Sequence, residues 1–256
     1  MKKKLRNIIV WSFTVIAAVL LLGFANAERA SSLCWKFDVE VEQLSGLYFI
    51  DEASVRDYIL DLGDPIVGTE IEQIDLQKIQ RALLQLPSVD HAEVYTTVDG
   101  CFTVKVSQRT PLFRVLNKEG DSYYIDTRGG RMPLSDQYTA RVPILTGEIN
   151  APFAVNASDE KTEKQLTNAA ILFEFLKEDS FWKAQVEHVY VNNKGDFVLV
   201  PRVGSAHIVL GQPTDLEDKF SRLKLFYLEM THRNNLNQYK RINVKYRDQV
   251  VCERFF

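Results

Sequence analysis

The sequence predicts an α+β protein with one membrane-spanning helix at the N-terminus and two folded units behind it. Three observations lead to this prediction. An uncharged apolar run lies near the start, and residues 36–109 carry a β-α-α-β-β pattern. Residues 110–256 contain short β runs, turn residues and two amphipathic helices, which indicate a mainly antiparallel sheet with flanking helices.

The composition is that of a folded chain and excludes some partners. Of the 256 residues, 46% are hydrophobic, which suffices for a buried core. The net charge of -3 shows no basic excess, so we expect no nucleic-acid partner. The cysteines Cys34, Cys101 and Cys252 are odd in number and lack CxxC spacing, which predicts free thiols rather than a zinc site. A single disulfide pair remains an alternative.

Residues 8–25 contain no charged side chain and are predicted to span a membrane. At about 1.5 Å per helical residue the run reaches roughly 27 Å. Basic residues in the tail 1–7 keep the N-terminus in the cytoplasm, so the chain from the linker 26–35 onward is exported. A cleaved signal peptide is the alternative, because Ala25-Asn26-Ala27 is compatible with a small-residue cleavage site.

The first unit opens with a predicted strand and two helices. Phe37, Val39 and Val41 alternate with acidic residues, as in a half-buried strand. Each helix begins after an aspartate, Asp51 or Asp75, whose carboxylate can accept N–H groups of the first turn. The apolar residues that share a helix face are Val55, Ile59 and Leu62 in the first helix and Leu76, Ile79, Leu83 and Leu86 in the second.

A hairpin is predicted to close this unit. Asp99-Gly100 is a strong two-residue turn signal, and apolar residues alternate on both sides of it. These residues are Ala92, Val94, Thr96 and Val98 before the turn and Phe102, Val104 and Val106 after it. The two helices would then cover one face of a three-stranded sheet.

Residues 74–111 combine a helix that ends in Leu-Pro, a strand with Val and Ala-x-Val, and a strand that runs into Arg-x-Pro. The residues concerned are Leu86, Pro87, Val89, Ala92, Val94, Arg109 and Pro111. This combination resembles the FtsQ/DivIB family of bacterial division proteins. The resemblance implies that residues 36–109 form a POTRA domain and that residues 110–256 form an FtsQ-type β domain.

The second unit carries further strands and helices. Strands are predicted at 186–191, 197–200 and 207–210. Tyr124-Ile125-Asp126 and Val142–Gly147 are similar to the opening of the family's β domain. A helix is expected after Ser158, with Leu166, Ala170, Phe173 and Leu176 facing inward. A second helix contains Lys219, Leu223 and Tyr227 and, with Leu210-Gly211 ahead of it, resembles the family's Leu-Gly and Lys-x-x-x-Leu stretch.

The last predicted strand, Arg241–Tyr246, is expected to continue through Val250 and Val251 and to form an open sheet edge. Ile242, Val244 and Tyr246 alternate along it. It resembles the last strands of FtsQ, except that Asn243 and Lys245 replace an Asp and an Arg of the family pattern. A lysine cannot offer the bidentate fork of a guanidinium, so altered partner contacts are expected.

No catalytic or metal-binding motif stands out. The histidines His91, His188, His207 and His232 are isolated in the sequence, and HExxH, GxSxG and P-loop motifs are missing. Asp126 near Arg128 is compatible with a catalytic pair, but its place before Gly129-Gly130 favours a turn. The aromatic residues Tyr123, Tyr124, Phe173, Phe175 and Trp182 have the spacing of a core. We therefore expect no enzyme activity, cofactor, metal or small-molecule substrate.

The resemblance implies a divisome scaffold of the inner membrane, with periplasmic domains enriched at the division septum. It would link upstream division proteins to FtsB/FtsL-like bitopic proteins and to septal peptidoglycan synthesis. The candidate partner-binding residues are Ile242, Val244, Lys245, Tyr246, Val250 and Val251, with Lys245 pairing an acidic partner residue and the edge strand accepting a partner strand. Another POTRA-containing envelope protein and a membrane-anchored envelope hydrolase are the alternatives.

Overall fold

The structure is a computed structural model that describes residues 15–17, 33–42, 46–63, 65–97, 99–154, 159–232 and 236–255. Backbone contacts divide the chain into two compact units, Met1–Gln108 and Arg109–Phe256. Each unit has a sheet and a hydrophobic core of its own. The fold class is therefore α+β, as the sequence predicts.

The predicted membrane-spanning run, residues 8–25, lies outside the described residues apart from 15–17, which are helical. In the described ranges, no helix is long and apolar enough to span a membrane. The tail 1–7 and most of the linker 26–35 also lie outside the described residues. The spanning helix and its orientation thus stay predictions.

The first unit contains a three-stranded sheet and two α-helices in the predicted order. The elements are β1 (Lys36–Glu42), α1 (Glu52–Asp61), α2 (Leu76–Leu83), β2 (Val89–Thr96) and β3 (Cys101–Gln108), with a 3-10 turn at Ile71–Gln73. β3 is the central strand, since it pairs in parallel with β1 and antiparallel with β2. Among the described strands of this unit, β1 and β2 are therefore the edges.

Both helices begin at the predicted aspartate caps. The Asp51 carboxylate accepts the N–H of Ser54 at 2.7 Å, and the Asp75 carboxylate accepts that of Lys78 at 2.9 Å. α2 ends at Leu83, earlier than the predicted end at Leu86. The chain tightens there into i→i+3 bonds, because the residue before Pro87 disfavours the α conformation.

The core of the first unit is formed by the helix faces and one face of the sheet. Phe37 and Phe102 meet edge to face with their ring centroids 5.1 Å apart. The buried helix residues are Val55, Ile59, Ile79 and Leu83, and the buried sheet residues include Val39, Ala92, Val104 and Val106. Burial of each valine, isoleucine or leucine side chain contributes about 1.5–3 kcal/mol, so the sheet face that carries these residues is the one that meets the helices.

The hairpin turn between β2 and β3 is longer than the predicted two residues. β2 ends at Thr96 and β3 begins at Cys101, with Thr97 N–H donating to the Cys101 carbonyl at 2.9 Å and the Cys101 N–H donating to the Thr97 hydroxyl at 3.2 Å. Gly100 has a φ of 83°, and a Cβ there would lie 2.9 Å from the Leu33 carbonyl oxygen. The Thr97 hydroxyl thus takes part in the turn two residues before the predicted Asp99-Gly100. Val98, which was predicted to lie on the strand, is outside the described residues.

The described part of the second unit forms a nine-stranded sheet and three α-helices. The strands are β4 (Pro111–Leu116), β5 (Ser122–Asp126), β6 (Arg131–Met132), β7 (Ile144–Gly147), β8 (Val186–Val191), β9 (Phe197–Pro201), β10 (His207–Gly211), β11 (Tyr239–Asn243) and β12 (Val251–Arg254). The helices are α3 (Glu160–Glu178), α4 (Ser180–Gln185) and α5 (Leu216–His232), and a 3-10 helix covers Leu236–Gln238.

The sheet order is β12-β11-β10-β9-β8-β7-β4-β5-β6. Antiparallel neighbours outnumber parallel ones, which are β4 with β7, β7 with β8, and β10 with β11. The predicted mainly antiparallel sheet is confirmed. Gly147, at the end of β7, has a φ of 99°, and a Cβ there would overlap the Val191 backbone of β8, so this close approach of two strands requires glycine.

Helix α3 begins one residue later than predicted. The Asp159 carboxylate, not the Ser158 hydroxyl, is the cap, since it accepts the Thr162 N–H at 2.8 Å. Ser158 itself lies outside the described residues. Of the residues predicted to face inward, Leu166, Phe173 and Leu176 are buried, and Ala170 is partly buried against the core.

Helices α3, α4 and α5 bury aromatic side chains against the sheet. Phe173 of α3 stacks on Phe113 of β4 with ring centroids 4.6 Å apart, and Trp182 of α4 lies 5.0 Å from the Phe220 ring of α5. Tyr123 and Tyr124 are also buried, and Phe175 packs at the margin of the core. The aromatic residues thus belong to the core, as the spacing predicts.

Candidate partner-binding site

The strand predicted to be the open edge, β11, lies inside the sheet. It pairs in parallel with β10, where Ile208 faces Ile242, and antiparallel with β12, where Cys252 faces Ile242. The prediction of one continuous strand through Val250 and Val251 is therefore wrong. The chain reverses direction between β11 and β12, with Asp248 in the left-handed conformation at a φ of 57°.

β12 is the edge strand at this end of the sheet, because β11 is its only neighbour among the described strands. The Phe255 N–H points inward and donates to the Gln238 carbonyl at 3.1 Å. Successive N–H groups of a strand point to opposite sides, so those of Cys252 and Arg254 point outward. This outer side carries the backbone groups that a further strand would need.

The six predicted contact residues separate into buried and exposed groups. Ile242 and Val244 are buried in the core, and Val250 packs against it, so none of these three presents a full side chain at the surface. Tyr246 is 51% exposed and Val251 is 47% exposed. The predicted alternation beyond Asn243 fails because β11 ends there and Tyr246 lies in the loop to β12.

Lys245 already has an acidic partner in its own chain. Its ammonium lies 2.8 Å and 3.1 Å from the two carboxylate oxygens of Asp196, the residue immediately before β9. The Asp196 side chain is only 9% exposed, whereas that of Lys245 is 43% exposed. The Lys245 stem also lies against Gly211, where a Cβ would come within 2.9 Å of it. Lys245 therefore holds the loop between β11 and β12 against the residue that precedes β9.

Arg222 of α5 holds the same loop from the other side, and sequence reasoning missed it. Its guanidinium donates to the carbonyls of Tyr246 at 2.8 Å and Gln249 at 2.6 Å, and to that of Val244 at 3.4 Å. Asp218, one turn earlier, orients the guanidinium through bonds of 2.9 Å and 3.1 Å. Arg222 and Lys245 together position the loop that leads into β12.

Lys219, one turn before Arg222 on α5, is a buried positive group. Its ammonium donates to the Gln212 carbonyl at 2.8 Å. Burial lowers the pKa of Lys219 from its ordinary value, while Asp215 and Asp196 act in the opposite direction. Lys219 thus fixes the start of α5, one turn before Arg222.

The surface around β12 carries more positive than negative charge. The exposed basic residues are Lys240, Arg241, Arg247 and Arg254, and the exposed acidic ones are Asp248 and Glu253. Glu253 lies 3.4 Å from Arg241 and 3.8 Å from Lys240, and such exposed pairs are weak. An approaching acidic segment would meet a favourable field.

Two of the histidines are not isolated in the structure. His188 of β8 and His207 of β10 flank β9 and reach the same sheet face, with the Tyr190 ring 6.2 Å and 5.8 Å from theirs. Burial lowers the pKa of His188, and the nearby His207 lowers it further. His188 Nε2 lies 2.8 Å from the Thr146 hydroxyl across the β7–β8 pair. In the described ranges, no cluster of three or more His, Cys, Asp or Glu residues could hold a metal ion.

Asp126 is a turn residue, as its sequence context favours. Its carboxylate accepts the N–H groups of Arg128 at 2.9 Å and Gly130 at 2.7 Å, and it forms an ion pair with Arg109 at 2.6 Å. Asp126 is only 2% exposed, so the motif arginine Arg109 neutralises a buried carboxylate.

The three cysteines are free thiols in the structure. Cys34 is buried, and Cys101 and Cys252 are partly buried. Burial raises the pKa of Cys252, whose side chain packs against the core of the second unit. A raised pKa disfavours the thiolate, which is the reactive form.

Comparison with protein families agrees with both units. The family described as FtsQ/DivIB, C-terminal related, matches residues 110–253, and the POTRA-like domain matches residues 32–107. Among curated proteins, none matches the sequence significantly. The first match covers more than half of the chain and includes Lys245, Tyr246 and all of β12 except Arg254. The chain therefore belongs to the FtsQ/DivIB family.

Proposed function

We propose that this protein is a non-enzymatic scaffold of the bacterial division machinery that docks a partner by strand addition at β12. The FtsQ/DivIB and POTRA-like matches support a role in cell division. The observation that carries the docking mode is the single strand neighbour of β12 in the described sheet. An extended partner segment can pair with the outward N–H groups of Cys252 and Arg254.

The partner in this proposal is an acidic, extended segment of an FtsB/FtsL-like bitopic division protein. The basic surface around β12 complements such a segment and would speed its approach. Tyr246 and Val251 supply exposed apolar area beside the edge. Lys245 contributes through the placement of the loop, because its ammonium is already bound to Asp196.

The remaining parts of the chain serve anchoring and assembly in the same proposal. The run 8–25 would retain the protein in the inner membrane with its two units in the periplasm, at the septum. The POTRA-like unit would meet upstream division proteins. Confinement to the membrane raises the effective concentration of all these partners, so modest contacts could hold the complex together.

The test compares two substitutions at one position of β12. Arg254→Ala removes the charge and retains the N–H, whereas Arg254→Pro also removes the outward N–H. A backbone hydrogen bond contributes about 1 kcal/mol, so we expect Arg254→Pro to bind a co-purified FtsB/FtsL-like pair at least about fivefold more weakly than Arg254→Ala. Equal affinity of the two variants would contradict strand addition at β12.

Deletion of residues 241–256 is a poorer test of the docking role. It would remove Ile242 and Val244 from the core as well as the edge strand, so loss of binding could reflect unfolding. The pair of Arg254 variants leaves β11 in place. Thermal unfolding of both variants checks that the sheet remains intact.

A further inference from the structure

A small apolar patch is exposed at one end of the first unit. It consists of Leu33, Trp35 and Val67, which are 56%, 63% and 58% exposed, and is called the Trp35 patch below. Backbone bonds bring the three together, since Cys34 N–H donates to the Thr69 carbonyl at 2.8 Å and Gly68 N–H donates to the Cys34 carbonyl at 2.7 Å. The patch thus combines the segment before β1 with the loop after α1.

Trp35 is held in its exposed position. Its indole N–H donates to the Asp99 carbonyl at 2.6 Å, and its backbone N–H donates to the Gly100 carbonyl at 3.1 Å. A Cβ at Gly100 would lie 3.0 Å from the indole ring, so the turn is shaped around the tryptophan. An exposed large aromatic ring with a fixed orientation indicates a binding surface rather than a solvated side chain.

The position of the patch in the chain indicates what covers it. Leu33 is eight residues after Ala25, the last residue of the uncharged run. Eight residues reach at most about 28 Å when fully extended, so the patch cannot lie far from the membrane into which that run inserts. Tryptophan is enriched at membrane interfaces, because its ring is apolar and its N–H is polar.

The charges at the patch favour an apolar contact. Glu70 and Asp99 are exposed beside it, and the nearby Lys36 is bound to Asp38 at 2.9 Å. Acidic neighbours would not attract anionic headgroups, so attraction by charge cannot be the basis of binding. The contact is expected to persist at high salt, since only electrostatic attraction is screened.

We infer that the Trp35 patch inserts into the headgroup layer of the outer leaflet and holds the POTRA-like unit end-on against the membrane. This inference rests on the membrane anchoring in the proposed function. Insertion at this end would leave the far end of β3 pointing away from the lipid. The first unit would thereby present its edge strands, β1 and β2, to partners at a defined height.

Fluorescence of the full chain in lipid vesicles tests the inference. Trp11→Phe removes the tryptophan of the uncharged run, and Trp182 is buried in the second unit and supplies a constant background. The difference in emission between this protein and the same protein with Trp35→Phe reports on Trp35. We expect lipids brominated near the headgroup to reduce that emission and aqueous iodide to leave it unchanged, at low and high salt alike.

A matched control lies at the opposite end of the same sheet. Tyr48 is 57% exposed, and the adjacent Phe49 N–H is bound by Gln108 at the end of β3. Trp35 is bound to Gly100 at the start of β3, so the two sites are separated by the length of an eight-residue strand, roughly 25 Å. Tyr48→Trp in the Trp11→Phe, Trp35→Phe background should be quenched by iodide and not by brominated lipid.

Each other outcome contradicts a defined part of the inference. Iodide quenching of Trp35 without lipid quenching, in protein that resists extraction by carbonate, would overturn membrane insertion and leave the anchor intact. Protection of Trp35 from iodide only after an FtsB/FtsL-like pair is added would assign the patch to a protein partner instead. Equal lipid quenching at Tyr48→Trp would refute the end-on orientation. Extraction of the full chain by carbonate would overturn the anchoring and the inference together.

Discussion

Replacement of Arg222 by methionine tests whether the loop before β12 is preorganised for a partner. The methionine retains most of the aliphatic stem and removes the donors to Tyr246 and Gln249. The Arg222 side chain is 16% exposed, so water can replace only part of what is lost. Lys245 would then remain as the side chain that holds the loop, and β12 would keep its pairing with β11.

The magnitude follows from the two shortest bonds. A hydrogen bond to a charged group contributes about 1.5–3 kcal/mol, and partial exposure reduces this contribution, so the two bonds together are expected to stabilise the loop by about 2–3 kcal/mol. In a unit of this size, 1 kcal/mol shifts Tm by about 2–4 °C, which predicts a decrease of about 4–12 °C. If docking needs the ordered loop, 2 kcal/mol corresponds to a roughly thirtyfold weaker complex.

Hydrogen exchange, thermal unfolding and affinity for an FtsB/FtsL-like pair measure these effects together. Amides of residues 244–255 should exchange faster in Arg222→Met, with little change in the first unit. Arg222→Lys retains the charge without the fork and should recover only part of the protection. Arg202→Met, which removes an exposed arginine paired with Glu187, is the matched control and should affect neither exchange nor binding.

Either of two results would contradict the role proposed for the loop. If Arg222→Met lowered Tm as expected but residues 244–255 exchanged at the original rate, Arg222 would stabilise α5 rather than the loop. If exchange increased and affinity stayed constant, the ordered loop would be unnecessary for docking. The first result would contradict the role of Arg222 in holding the loop, and the second would contradict preorganisation of the loop for a partner.

Three further predictions concern the second unit. Gly147→Ala should lower the free energy of unfolding by about 2–5 kcal/mol, because the strain of a left-handed φ and a clash with the backbone add together. Gly204 has the same φ of 99° but open space around it, so Gly204→Ala should lower the free energy of unfolding by only about 1–2 kcal/mol. Equal Tm values for the two variants would refute the clash. Folding lowers the pKa of His188, so its contribution to stability is complete above its unfolded pKa of about 6.5 and declines as the pH falls below that value. His188→Gln should therefore make the free energy of unfolding less dependent on pH on the acid side. An unchanged pH profile would contradict this prediction. Lys245→Met should lower stability by about 2 kcal/mol, since Asp196 would remain buried without its cation, and a loss of partner affinity without a loss of Tm would instead favour a direct contact.

Local sequence patterns predict the elements of this protein well. Asp51 and Asp75 cap the helices that follow them, because capping depends only on residues within one turn. Ala92 and Val94 are two positions apart on β2 and therefore share a face, because successive side chains of a strand point to opposite faces. Ala92 is buried on that face and Val94 is partly buried. The hairpin turn is the exception in the first unit, since the Thr97 hydroxyl closes it two residues before the expected Asp99-Gly100.

The candidate site was predicted only in part. Its place near the C-terminus stays a prediction, and the structure shows that Ile242 and Val244 are buried and that Lys245 is paired with Asp196. The Asp196–Lys245 pair joins residues 49 positions apart, and Arg222 reaches carbonyls 24 and 27 positions away. Neither separation leaves a periodic signal in the sequence, because periodicity records only which residues share a face of one element.

Hydrophobic spacing, caps and turn residues were enough to establish most of the order of strands and helices and the two-unit plan. The likeness to division proteins came from the motifs in residues 74–111. The identity of the edge strand came from the folded chain alone. A reversal at Asp248 converts one apparent strand into two and covers β11 with β12. Whether a strand lies at an edge depends on which distant segments pair beside it. Each such pairing must offset the entropy lost when the loop between the segments closes, so it depends on the whole sheet and not on local sequence.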